Sequence, residues 1–264
     1  MGNISKRLAF KMLPDKVLHF VKKIHYARVL HSISEKEEPD LKVLKYLVGP
    51  GECVADVGAN IGVYTKYLSE IVGASGRVFS VEPIPLTFDI LRSNVRKLGS
   101  KNIELRNCAI SDTDGQVTMV VPKYDSGGEN FYESRIVREQ ADDHLRSVVI
   151  PASTIDSLFS GRPVHFIKCD TEGHELCCVQ GAMRTIRASK PSWLIEISGN
   201  PDDETSSACQ TFRILRESGY QAFWFDGARL RARRLLDTSV NYFFLTSEHR
   251  QVLQHKNFPI VDLV

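Results

Sequence analysis

Zinc-ligand spacing is missing from this chain: its six cysteines include no Cys-x-x-Cys pair and no Cys/His ligand pattern. Neither a zinc site nor a disulfide framework is therefore suggested. A dominant charge is missing too. The 34 Lys and Arg face 32 Asp and Glu, a formal net charge of +2, too small to argue for nucleic acid through overall electrostatics. The N-terminal stretch has no uninterrupted apolar core and reads as neither a secretory signal nor a membrane span. Internal repeats and low-complexity linkers are absent as well. What is present suits a soluble enzyme: 264 residues match one α/β domain with an extension, long enough to bury a sizeable core. Cys53, Cys108 and Cys169 stand in or at the end of expected strands, where cysteine behaves as a small buried hydrophobe. That usage favours a reducing cytoplasm.

The most informative stretch runs from Val54 to Thr65, Val-Ala-Asp-Val-Gly-Ala-Asn-Ile-Gly-Val-Tyr-Thr. Cys53 to Val57 has strand character, and an amphipathic segment from Tyr64 to Val72 follows. The glycines let the turn tighten and a ligand approach the backbone, and the helix N-terminus offers free N–H groups. Twenty residues beyond Gly62, the apolar run Val78 to Val81 ends in Glu82. An acidic residue there is placed to accept from both ribose hydroxyls of an adenosine. Asn60 narrows the choice of cofactor. A dinucleotide fingerprint wants glycine at this middle position so that backbone can press against a pyrophosphate. A polar side chain instead suits S-adenosylmethionine, which has no phosphate and whose amino-acid end needs polar partners.

Several blocks then fall in order: Asp56-Val57-Gly58-Ala59-Asn60-Ile61-Gly62, Val81-Glu82-Pro83, Thr154-Ile155-Asp156-Ser157-Leu158, and Ile167-Lys168-Cys169-Asp170-Thr171-Glu172-Gly173-His174-Glu175, with Gly181-Ala182 closing the next helix. Together they resemble the FkbM family of S-adenosylmethionine-dependent methyltransferases. The likeness runs from about Glu38 to Asn241-Tyr242-Phe243-Phe244, most of the chain, and Lys-x-Asp-x-Glu-Gly-x-Glu is its most specific piece. Cys169 and Thr171 stand where the family usually carries an aliphatic residue. The resemblance implies a Rossmann-like class I fold: a mostly parallel seven-stranded sheet with helices on both faces. It also implies S-adenosylmethionine as methyl donor and a hydroxyl of a sugar, glycolipid or secondary metabolite as acceptor. The cofactor residues carried over are Asp56, Gly58, Ala59, Asn60, Gly62, Thr65, Glu82, Pro83, Asn107 and Ala109.

The remaining chain alternates strands and helices. Thr87 to Leu98 has helical periodicity and stops at Gly99. Ile103–Arg106 reads as the third strand, with Asn107, Cys108 and Ala109 after it near the adenine edge. His165–Cys169, Trp193–Ile197, Gln221–Phe225 and Asn241–Thr246 supply the fourth to seventh strands. Gln116–Val121 alternates like a hairpin strand, with Val148–Ile150 as its partner. Around 111–150 the chain makes a long substrate-side insertion, of the kind that often forms a lid or binding loop.

Ligands in such a sheet sit outside the carboxyl ends of the strands, at the switch point of strand order. Asp170 and Glu172, leaving the fourth strand beside the glycine loop, are the candidate catalytic residues. A hydroxyl is a poor nucleophile until a base takes its proton, and Lys168 could hold one of these carboxylates ionised. The competing reading makes Asp170 or Thr171 the N-cap of the helix from Glu175 to Gln180. Glu196 could contact the acceptor or a neighbouring loop. His174 reads as a surface residue and His165 as a structural one inside its strand. No metal is expected, because Ile197-Ser198-Gly199-Asn200 lacks the further acidic ligands a catechol-type site would want.

Two other classes stand beside this reading. An NAD-dependent oxidoreductase is disfavoured by Asn60 and by the want of a Tyr-x-x-x-Lys pair; a catalytically silent S-adenosylmethionine-binding module docked on a membrane is the other. Residues 1–37 form a basic extension, with Lys6, Arg7, Lys11, Lys16, Lys22, Lys23 and Arg28 against Asp15, and residues 38–264 the methyltransferase domain. The extension reads either as a lid helix or as a peripheral membrane contact on an otherwise cytoplasmic protein. Met1-Gly2 lacks the Ser or Thr a myristoylation signal requires, Lys6 standing at that position.

Overall fold

A computed structural model describes residues 15–121, 135–137 and 146–262 of the chain. Met1-Gly2, Lys6, Arg7 and Lys11 lie outside the described residues, as does most of the insertion between 122 and 145.

Five parallel strands form the centre of the main sheet: β3 (Ile103–Arg106), β2 (Arg77–Val81), β1 (Cys53–Val57), β8 (Phe166–Cys169) and β9 (Ser192–Glu196), side by side in that order. The chain runs outward from β1 to β3 and returns to lay β8 against the other side of β1. Strand order therefore reverses between β1 and β8, which opens a crevice at their carboxyl ends. Beyond β9 lie β12 (Asn241–Leu245) and β10 (Gln221–Phe225), each antiparallel to its neighbour. Seven strands were expected and nine form. The two extra are short strands at one edge, β11 (Leu230–Ala232) and β13 (Ile260–Val261), three and two residues long and too brief to show a period.

Apolar strands buried on both faces require helices on both. On one face, α5 (Ile155–Phe159), α6 (Glu175–Gln180), α7 (Met183–Ser189) and α8 (Ser207–Glu217) pack Phe159, Val179, Ile186 and Leu215 against Ala55, Val57, Ile167 and Trp193. On the other, α2 (Leu41–Leu47), α3 (Val63–Val72) and α9 (Ser247–His255) pack Leu44, Leu68 and Leu253 against Val54, Phe166 and Leu194. Alternation along β1 and β8 places Asp56 and Lys168 on this second face, in register with each other.

The family-like blocks around Thr154 and Gly181 are architectural. Thr154 caps α5, its hydroxyl accepting from Ser157 N–H at 3.0 Å. Asp156 accepts from the N–H groups of Arg184 and Thr185 at the start of α7. A Cβ on Gly181 would overlap the carbonyl of Ser111, so only glycine lets α6 approach that strand end.

The insertion builds a second sheet in the order β4 (Ala109–Ile110), β7 (Arg146–Ser153), β5 (Gly115–Val121), β6 (Arg135–Val137). The expected hairpin pairing holds, with Val117 opposite Ile150 and Met119 opposite Val148. Ile84, Met119 and Ile150 form a small core between this sheet and the loop after β2.

Helix α1 (Asp15–Ser32) lies along α4 (Pro85–Leu98). Asp89 of α4 takes His19 Nε2 at 2.7 Å and the ammonium of Lys23. The following strap is held by Tyr67, whose hydroxyl donates to the Ile33 carbonyl, and by Tyr64, which donates to Glu38.

Candidate active site

A cavity opens at the carboxyl ends of β1, β2 and β8, where open α/β sheets place their ligands. Gly58, Asn60, Glu82, Pro83, Ala109, Asp170 and Glu172 all line it. Residues nominated from four separate segments are thus brought to one place. The other nominated residues stand behind them. Asp56 is buried in β1, its carboxylate accepting from the Thr65 hydroxyl at 2.5 Å, and Thr65 also meets Ser80 Oγ at 2.8 Å. That network ties the start of α3 to β1 and β2 beneath the loop. Ala59 packs in a small core with Leu91 of α4. Gly62, with φ of 97°, turns the chain into α3, and a Cβ there would crowd Leu91. Asn107 donates to the carbonyls of Glu82 and Pro83 at 2.8 and 2.9 Å, fixing the rim.

Gly58 sits where two loops meet. Its φ is 78°, and a Cβ would fall on the Asp170 carbonyl oxygen. The glycine loop and the loop after β8 therefore touch through backbone, which only glycine permits.

Glu82 is 6% exposed. Its two oxygens accept from Asn60 N–H at 3.0 Å and Ile84 N–H at 2.9 Å. Burial pushes its carboxyl up to about 7, against the opposing pull of those two bonds. Each carboxylate oxygen keeps further lone-pair capacity for a diol. Asn60 Oδ1 is buried with no hydrogen-bond partner among the described residues. An unmatched acceptor is costly to bury, and at the cavity wall it suits a donor such as an α-ammonium group. The residues present thus fit an adenosine diol at one end and an amino-acid group at the other.

Asp170 is half-buried, and Lys168 Nζ approaches its carboxylate at 3.2 Å. Lys168 is 3% exposed. Its ammonium has no aligned hydrogen bond among the described residues, although the charge pairing is close. Burial lowers its proton affinity, but Asp170, Glu196 and Asp56 outweigh that and hold it above the usual lysine range. The ammonium also sits 5.2 Å from the centre of the Tyr64 ring. Continuing the β8–β9 register places Glu196 beside Asp170. Burial and the Asp170 charge push the Glu196 carboxyl up. Glu172 is exposed, with φ of 50°.

The capping alternative for Asp170 and Thr171 does not hold. His174 occupies the N-cap position of α6, and Glu175 takes the Gly173 N–H at 2.8 Å and the Thr171 hydroxyl at 3.3 Å. His174 is buried rather than on the surface, its Nε2 meeting Ser111 Oγ at 2.9 Å. His165 is exposed, one residue before β8 begins. Asp40 is a participant that sequence reasoning passed over. It is buried near Lys168, and burial pushes it up to about 6 despite a bond from Asn241. Asp before an apolar helix looks like a cap, yet its side chain makes no cap bond, so no local signal marks it.

The chain matches the model of the methyltransferase FkbM domain over residues 56–222. It belongs to the FkbM methyltransferase family. S-adenosylmethionine is the methyl donor of that family. This FkbM chain is also 43% identical over 54 residues to a protein-L-isoaspartate O-methyltransferase of Aeropyrum pernix, a match covering 20% of the chain and 21% of that protein. Among solved structures, an FkbM methyltransferase from Methylobacillus flagellatus KT shares 18% identity at a TM-score of 0.49, covering 85% of this chain and 59% of that one. A SAM-dependent methyltransferase from Aquifex aeolicus shares 21% identity at a TM-score of 0.41, covering 77% and 85%. Among the described residues no helix is long and apolar enough to cross a membrane, and no cluster of metal-ligating side chains occurs.

Proposed function

We propose that the protein transfers a methyl group from S-adenosylmethionine to a hydroxyl of a sugar, glycolipid or secondary metabolite. The observation that carries this reading is Asp170, a carboxylate paired with buried Lys168 on the wall that Gly58, Asn60 and Glu82 share. The cofactor supplies a methyl group on a positively charged sulfur. Glu82 accepts the ribose hydroxyls and Asn60 receives the amino-acid end, while Gly58 lets both loops close on the ligand. The acceptor lies against Asp170 and Glu172, and Asp170 takes the hydroxyl proton. Lys168 pairs with Asp170 and fixes its orientation, and alignment of the acceptor oxygen supplies much of the rate. Residues 1–37 form an extension and residues 38–264 the catalytic domain.

Single-turnover transfer with labelled cofactor tests this, after a screen of glycans, lipids and small metabolites finds the acceptor. Asp170→Asn is expected to keep cofactor affinity and lose about 10²–10⁴-fold in rate, the usual worth of a general base. Glu172→Gln, at an exposed position, is expected to lose less, through acceptor contact alone. Raising the pH should partly rescue Asp170→Asn by ionising the acceptor. Undiminished transfer by Asp170→Asn would remove the carboxylate-base mechanism.

A further inference from the structure

Six of the nine large apolar side chains exposed among the described residues lie on two features, α1 and the turn before β12. The first is α1, where Val17, Phe20 and Ile24 are exposed at 43%, 63% and 37%. Their spacing of three and four residues puts them on one stripe, beside the face that His19 and Lys23 turn toward Asp89, with Ile24 at the rim of the groove between α1 and α4. Asp89 lies in the second turn of α4, just beyond the carboxyl end of β2, so this part of α1 stands at the same edge as the cavity.

The second feature is the turn from 233 to 240, between β11 and β12. It enters β12 where Asn241 pairs with Glu196, at the carboxyl end of β9. Leu235 and Leu236 are 73% and 79% exposed. The turn is built to hold them there. Asp202 pairs with Arg233 and accepts the Leu236 N–H at 2.8 Å, and Asp237 accepts the Arg234 N–H and the Trp224 indole N–H. Leu236 has φ of 67°, a left-handed conformation that L side chains rarely adopt. Two anchored carboxylates thus hold a strained turn with leucines pointing to water, the reverse of what a merely soluble surface would favour.

Charge singles out what covers these features. Helix α1 carries Lys16, Lys22, Lys23 and Arg28 against Asp15, and α4 carries Arg92, Arg96 and Lys97 against Asp89, in a chain of net charge only +2. Arg28 and His25 are exposed on α1, and Arg234 is exposed beside the leucines. Apolar side chains flanked by cations are the pattern of a protein resting in the headgroup layer of an anionic membrane. The two features flank one edge, and a broad planar surface can engage both together.

We infer that the protein docks peripherally on an anionic lipid bilayer through the α1 stripe and the Leu235-Leu236 turn, with the cavity mouth facing the membrane. Flotation of the full chain with phosphatidylcholine vesicles, with and without phosphatidylglycerol, tests this at low and high salt. The expected result is flotation with the mixed vesicles, weakened by salt, and much less with phosphatidylcholine alone. The double variants Phe20→Ser/Ile24→Ser and Leu235→Ser/Leu236→Gly should each lower partitioning by about tenfold or more. Glycine suits the left-handed position, so the second variant keeps the turn, and unchanged calorimetric binding of S-adenosylmethionine confirms folding. Absence of flotation with mixed vesicles, or equal flotation of wild type and both variants, overturns the inference. A dimer on sizing that both variants dissolve would overturn it too, assigning these surfaces to a second copy. None of these readouts depends on methyl transfer, so the docking and the proposed chemistry can fail separately.

Discussion

At the residue scale, Glu82 holds its own loop and is also the proposed acceptor of the ribose hydroxyls. Its oxygens already hold the N–H groups of Asn60 and Ile84, so Glu82→Ala would strip the loop as well as the ribose contact. Glu82→Gln keeps one acceptor oxygen and is the cleaner probe. With its carboxyl near 7, the wild-type side chain ionises as pH passes from 6 to 8 and then accepts from both hydroxyls. Cofactor affinity by calorimetry is expected to rise over that interval. Glu82→Gln should bind more weakly, by about 1.5–3 kcal/mol above pH 8, and lack this rise. A wild-type affinity flat from pH 6 to 8 would remove Glu82 from ribose recognition.

At the element scale, the attachment of α1 rests heavily on Asp89. Burial acts to raise that carboxyl, but bonds from Lys23, His19 and Arg92 outweigh it and hold it below the usual carboxylate range. The group is a quarter exposed, so solvent screening keeps each pair to about 0–1 kcal/mol. Asp89→Ala should therefore leave the melting temperature nearly unchanged while freeing the helix. Amide hydrogen exchange over residues 19–32 is the measurement, since local opening is what such weak docking controls. Protection equal to wild type would mean that apolar contacts around Leu30, buried at 3%, hold α1 without the charges. Elements with a strong period were legible before folding: β10 and β3 fall at their expected bounds, and α4 begins only two residues early, with Pro85 in its first turn. Elements of two or three residues were not, because they exist only where an edge offers them hydrogen bonds.

At the scale of the whole molecule, buried acids make stability fall as pH rises. Burial raises Asp40 and Asp56 from 3.8 to about 6 and Glu82 from 4.5 to about 7. Between those limits the folded chain binds more protons than the unfolded one. Their contribution is thus fully present below about pH 4 and is lost as pH climbs through 6 to 7. Surface carboxylates such as Asp89 and Asp226 are shifted the other way, but screening limits what they return. Thermal melts of cofactor-free protein should give a higher midpoint at pH 5.5 than at pH 8, and Asp40→Asn should narrow that difference. A midpoint rising toward pH 8 would show that the surface pairs dominate.

The sequence by itself determined the order of elements, the glycine loop, Glu82 and the Lys168–Glu175 block, because each depends on neighbours within about thirty residues. Gly58 and Gly62 carry backbone angles that can be foretold from a tight turn, and the strand ends follow from apolar runs. Tertiary structure alone decided which of these residues face the cavity. Asp56 and Thr65, adjacent to the motif, turn inward to brace it, whereas Asp170, more than a hundred residues away, closes against Gly58. It also buried Asp40 beside Lys168 and turned His174 onto Ser111. Orientation of a side chain at a strand end is set by the helix packed over it, and in this chain that helix comes from a distant segment. Local pattern fixes where the chain turns; only the closed sheet fixes what each turn meets.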